Sequence, residues 1–146
     1  MPESHGWLTM NVPRVRVSLR IQGDPLDPHF LTQLLGVGPT LTAQPGDLVP
    51  RCGRMIERRS GLWTYRLDAP SDTDLGEAIG MLLAALPDDS TLWAELTEAY
   101  TVDLSCELTL EAREQASAVE ATVLAALGRR GLALALDLHA GPEGER

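Results

Sequence analysis

The stretch Arg14-Val15-Arg16-Val17-Ser18-Leu19-Arg20-Ile21-Gln22 decides how the rest of the chain is read. Val15, Val17, Leu19 and Ile21 fall on one side of an extended backbone, and Arg14, Arg16, Ser18, Arg20 and Gln22 on the other, because successive side chains of a strand point to opposite faces. A strand with one oily and one charged face packs helices on one side and meets water on the other. The pattern returns with Val102, Leu104, Cys106, Leu108 and Leu110 against Asp103, Ser105, Glu107, Thr109 and Glu111. It returns again with Trp63, Tyr65 and Leu67 against Thr64 and Arg66, and with Leu132, Leu134, Leu136 and Leu138. One-sided strands predict an α+β two-layer sandwich: a single, mostly antiparallel mixed sheet with helices on one face. If the first strand neighbours the one at 102–110, Arg16 and Arg20 can meet Asp103 and Glu107, each pair stabilising by about 0.2–1 kcal/mol.

Between the strands lie helix signals. Gly23-Asp24-Pro25 breaks the first strand; Asp27 before Pro28 reads as an N-cap, and Gly36 as a stop, for a helix carrying Phe30, Leu31, Leu34 and Leu35 inward. Residues 39–43 suit a short strand closed by Pro45-Gly46-Asp47, and residues 48–61 read as an irregular, arginine-rich loop. Ser71, Asp72 and Asp74 supply caps and first-turn acids for a helix bearing Leu75, Ala78, Ile79, Leu82, Leu83 and Leu86. Pro87 ends it, and Ser90 caps a second helix with Leu92, Trp93 and Leu96. A further helix is expected over 112–127, with Val119, Val123 and Leu127 on one side. The predicted order is β-α-β-β-α-α-β-α-β over one domain, residues 14–139. Residues 1–13 and 140–146 are expected as flexible tails, with Trp7 and Leu8 able to fold back.

The 146 residues, 44% hydrophobic and 23% charged, have the composition of a globular domain. The first fourteen residues contain no apolar run of signal-peptide type. Residues 81–86 and 132–136, the longest apolar stretches, are too short to span a bilayer. A cytoplasmic protein with no membrane contact is therefore expected, and two cysteines make no disulfide framework. All twelve basic residues are arginine, which excludes a Schiff-base lysine, a pyridoxal anchor and a P-loop lysine.

Charge is unevenly placed. Up to residue 66, eight arginines stand against Glu3, Asp24, Asp27, Asp47 and Glu57; beyond it, four arginines stand against sixteen acids, for a net charge of −9. That acidic bulk argues against nucleic acid and anionic membrane and suits a basic partner protein.

Candidate chemistry is sparse. Cys52 lies among Arg51 and Arg54, whose charge favours a reactive thiolate, but no histidine is near in sequence; Cys106 points to the core by strand parity. His5, His29 and His139 are scattered, and no zinc spacing exists. Asp72-Thr73-Asp74 lacks the remaining ligands of a calcium loop. Asp24 and Asp27 are a possible carboxylate pair, better explained as turn and cap. No nucleophile elbow or phosphate-binding glycine loop occurs. No catalytic residue, metal or cofactor is assigned.

The candidate binding residues are Arg16 and Arg20 on the open sheet face, and Arg51, Arg54, Arg58 and Arg59 with Trp63, since arginine beside an aromatic grips phosphate or stacks a base. The leading expectation is a non-catalytic protein-interaction module acting through the open face, a sheet edge or the arginine segment. The alternative is a binder of a small anionic ligand, or a minor enzyme, with a pocket between sheet and helices. Single-stranded nucleic acid on the segment 51–66 is weaker, and an exposed edge strand leaves a homodimer open.

The run SLRIQGDPLDPHFLTQLLGVGPTLTAQPGD, residues 18–47, resembles the opening of a family known as domain of unknown function 4279. The matching features are Ser18 to Ile21, Gly23, Asp27-Pro28, Leu35-Gly36, Pro39-Thr40 and Gly46-Asp47. The Trp63 strand, the Leu104-Ser105-Cys106 strand and the strand at 131–139 fit the same layout. The resemblance covers nearly the whole chain and implies the fold and a bacterial source; no catalytic residue travels with it.

Overall fold

The computed structural model describes residues 15–51, 53–110 and 116–140. Among these, a five-stranded sheet is built from β1 (Val15–Gly23), β2 (Leu41–Ala43), β5 (Gly61–Asp68), β6 (Thr101–Leu110) and β7 (Ala133–Ala140). Its spatial order is β2-β5-β1-β6-β7. All neighbours are antiparallel except β6 and β7, which run parallel. The strand whose parity decides the fold therefore sits at the centre, with β5 on one side and β6 on the other.

Four helices are described: α1 (Pro28–Leu35), α2 (Leu75–Ala84), α3 (Ser90–Ala99) and α4 (Ala121–Arg129). They cover one face. Val17, Leu19 and Ile21 of β1, Trp63 of β5, and Leu104 and Cys106 of β6 are fully buried in one cluster with Leu31 and Leu35 of α1, Ile79 and Leu82 of α2, Trp93 and Leu96 of α3, and Leu127 of α4. This is the expected mixed sheet with one helical layer.

The helix ends follow the expected chemistry with one shift. Asp27 accepts hydrogen bonds from the amides of His29 and Phe30 at the start of α1, and Gly36 ends it in the left-handed region at φ 76°. Asp74 and Glu77 form a reciprocal capping box on α2. On α3 the cap is Asp89, which accepts from the amides of Thr91 and Leu92, and the expected Ser90 is the first helical residue instead.

Three expectations are corrected: Phe30, expected inward on α1, is 51% exposed, and two segments differ in structure. Residues 48–61 are not an irregular loop: β3 (Leu48–Arg51) and β4 (Arg54–Glu57) form an antiparallel hairpin. The helix expected over 112–127 is shorter: α4 begins at Ala121, and residues 116–120 have no regular structure. Val119 packs on the core from that non-helical segment, so its spacing from Val123 imitated a helix. The cysteine at 52, residues 112–115 of that helix, and the tails 1–13, with Trp7 and Leu8, and 141–146 lie outside the described residues; Ala140, expected in the second tail, is the last residue of β7.

Candidate functional site

The charged parity of β1 builds the outer sheet face. Side chains align across it in rows fixed by the register. Asp68, Arg16, Glu107 and Asp137 form one row, Arg66, Ser18, Ser105 and Ala135 the next, and Thr64, Arg20, Asp103 and Ala133 a third. The middle row is small on β1, β6 and β7, so the floor dips between two rows of guanidinium groups.

Those guanidiniums are tied to facing acids. Arg20 makes two hydrogen bonds to Asp103, of 2.9 Å through Nε and 2.7 Å through Nη2. Arg16 Nε lies 3.1 Å from Asp68 Oδ1, and its Nη1 lies 3.6 Å from Glu107. Arg66 Nε approaches the same Asp68 oxygen at 3.1 Å, so one carboxylate serves two cations. The pairing expected between the first strand and the one at 102–110 is present.

The hairpin folds over this face. Val49 of β3 is buried against Ala43 of β2 and Leu62 of β5, a second small core on the side of the sheet away from the helices. Val49 faces Ile56 in the hairpin register, and Arg51 faces Arg54. With a period of two, Val49 and Arg51 point down toward the sheet, while Leu48 and Met55 point away from it. The result is a cleft of about 440 Å³, floored by β1, β5 and β6 and roofed by the hairpin.

Arg16, Arg20, Arg51, Arg58 and Arg66 all line the cleft, with Glu107, Asp137 and His139. Arg58 donates through Nη2 to Gln22 Oε1 at 2.9 Å and through Nε to the Ser60 carbonyl at 3.3 Å, neither of which carries charge. Arg51 is exposed, and its guanidinium makes no ion pair or hydrogen bond among the described residues.

The structure thus gathers four of the expected binding residues, Arg16, Arg20, Arg51 and Arg58. Arg54 and Arg59 are exposed and do not line the cleft. Trp63 is corrected: it is 0% exposed on the helix side, donating through Nε1 to Thr32 Oγ1 at 3.1 Å. Its odd parity pairs it with Ile21, not with the arginines. Sequence reading missed Arg66, Ser18 and Ser105, which the register alone brings together.

The other candidates stand apart. Asp27 is engaged as a cap, Asp24 is exposed, and the His29 ring lies 3.3 Å from Gln33 Nε2. Cys106 is buried, and burial pushes its thiol up to about 12. No group of three or more metal-binding side chains occurs among the described residues, and no described helix is long and apolar enough to cross a membrane.

The pocket expected between sheet and helices has a separate counterpart. It is a cavity of about 390 Å³ bounded by Leu75, Leu108, Leu136 and Leu138 with Asp72 and Asp74, and no arginine lines it among the described residues. The strand arginines of the cleft, Arg16, Arg20 and Arg66, lie on the opposite face of the sheet.

No curated protein and no solved structure matches the chain. The family model described as "Domain of unknown function (DUF4279)" matches residues 13–141, a span that includes the central strand, the hairpin and every arginine of the cleft. The chain belongs to the DUF4279 family.

Proposed function

We propose that this domain is a non-catalytic protein-interaction module and that the outer side of the β3–β4 hairpin is its recognition element. The observation that carries this reading is the exposure of Leu48 at 62% and Met55 at 60% on the solvent side of the hairpin. A four-residue hairpin strand does not hold its position alone; Val49 fixes this one to the sheet, so the apolar side chains are presented on a rigid support. Methionine adapts to the shape of a partner, and a small apolar patch with a polar rim is the usual centre of a protein interface.

The hairpin segment itself carries Arg51, Arg54, Arg58 and Arg59 against Asp47 and Glu57, so its outer contact is apolar, while the −9 of the whole chain favours a basic partner at long range. The test is affinity capture from the source cells with the wild type and with a Leu48→Ser/Met55→Ser double variant. A basic protein should be retained by the wild type, be released by salt, and be lost from a variant with an unchanged melting temperature. Identical captured sets would reject the reading.

A second reading, binding of a small anionic ligand, is favoured by a specific observation: the arginine-lined cleft lies within the size range of small-molecule sites, about 300–1,000 Å³.

A further inference from the structure

We propose that the cleft beneath the hairpin binds a small ligand carrying an oxyanion, a phosphate or a carboxylate, anchored by Arg51 and Arg58 over a floor of Ser18, Thr64 and Ser105. This gives the second reading its ligand chemistry and its residues. It concerns the sheet-facing side of the hairpin and stands independently of the interaction proposed for the opposite side.

The argument starts from charge matching. Arg20 is satisfied by Asp103, and Arg16 and Arg66 share Asp68. Arg58 is half-buried, yet its partners are an amide oxygen, a carbonyl and the Ser60 hydroxyl. A guanidinium partly withdrawn from water without a carboxylate leaves positive potential in the cleft. Arg51 adds a second guanidinium, and it pairs with no described residue. In a chain of net charge −9, this is a local reversal of sign.

Shape agrees with charge. Ser18 stands opposite Ser105, with Ala135 beyond it, so the floor between the arginine rows has room for a group a few atoms across. Ser105 is buried and offers a hydroxyl there, while Thr64 borders Arg20 in the next row. An oxyanion seated under the hairpin would accept charge-assisted bonds from the roof and ordinary hydrogen bonds from the floor, and the planar fork of arginine suits both phosphate and carboxylate. Glu107 and Asp137 line the cleft from β6 and β7 and repel an anion there, confining it to the hairpin side.

The test is an NMR titration of the ¹⁵N-labelled full chain, following backbone amides and arginine Nε–H signals. Inorganic phosphate and, separately, acetate are added against chloride at matched ionic strength. Saturable shifts centred on Ser18, Arg51, Arg58 and Thr64 are expected with at least one probe, and the tighter probe identifies the ligand as phosphate- or carboxylate-bearing. Arg51→Ala should weaken binding roughly tenfold, the loss of one charge-assisted contact. Arg54→Ala removes an equal charge from a residue that does not line the cleft and should change it less than about twofold. Arg58→Gln, checked for an unchanged melting temperature, should behave as Arg51→Ala does. Shifts that grow without saturating for both probes, or equal losses from Arg51→Ala and Arg54→Ala, would overturn the proposal.

Discussion

Arg20 and Asp103 stand directly opposite each other on β1 and β6 and are joined by two hydrogen bonds, 2.9 and 2.7 Å long. The forked geometry uses both carboxylate oxygens, and the hydrogen bonds to Asp103 raise the guanidinium pKa above its ordinary value although burial opposes them. Both side chains are partly screened from water. Such a pair is worth more than an exposed ion pair, and breaking it strands a charge.

Asp103→Asn should therefore destabilise the fold by about 1–2 kcal/mol, less than a fully buried pair would cost because solvent still reaches both groups. Combined with Arg20→Gln in a double-mutant cycle, it should show a coupling of about 1 kcal/mol in urea unfolding. Additive single losses would mean that the two residues contribute separately.

Gly76 offers a test with an unusual sign. It lies in the first turn of α2, where glycine to alanine ordinarily stabilises a helix by about 1 kcal/mol. Here an added Cβ would stand 2.8 Å from the carbonyl oxygen of Ala118 and 3.3 Å from Val119 Cα. Both are backbone atoms of the segment that crosses the start of α2, where Leu75 N also donates to Ser117 Oγ at 3.3 Å. Gly76→Ala should destabilise by about 1–3 kcal/mol, read as a lower melting temperature, whereas Gly80→Ala, with nothing within 4 Å of its added Cβ, should not.

What could be read in advance follows from how local each signal is. The parity of Val15 to Gln22 exposed the two faces of β1, and the same logic gave β6, the caps Asp27 and Asp74 and the stop at Gly36. The hairpin was hidden because Pro50 interrupts a four-residue strand, and proline argues against strand assignment. Its signature was the pairing of Leu48-Val49 with Met55-Ile56 around Gly53, which adopts φ 77°. The start of α4 leaves no mark in the sequence, because Glu120 caps it without a side-chain hydrogen bond. Ser18, Arg66 and Ser105 are far apart in sequence and become neighbours only through register. Trp63 sat near the arginines in sequence, but strand alternation sends it to the other face.

The buried thiol of Cys106 makes stability depend on pH in a definite direction. Burial raises its pKa to about 12, against about 8.5 in an unfolded chain. Between those values the folded state keeps a proton that the unfolded state has lost, so the contribution is complete below about pH 8.5 and declines as pH rises toward 12. The slope is at most about 1.4 kcal/mol per pH unit. Under reducing conditions, the stability advantage of the wild type over Cys106→Ala should shrink between pH 9 and 10. An advantage that stays constant would show that the thiol is not shielded from water.

The last prediction separates the hairpin from the core beneath it. Val49 joins a cluster with Ala43 and Leu62 only, on the face away from the helices, while Trp63, Leu19 and Ile79 belong to the main core. Val49→Ser removes apolar burial and places a hydroxyl in that small cluster, costing the hairpin its hold at about 1–2 kcal/mol. Because Gly46 N still donates to Arg58 O and Arg58 N to Asp47 O at the hairpin base, both at 2.8 Å, the loss should remain local. Hydrogen exchange should accelerate at β3 and β4 while amides of β1 and β6 keep their protection, and the cleft should lose its roof. Equal acceleration in β1 would mean that the hairpin is part of the same cooperative unit as the sheet.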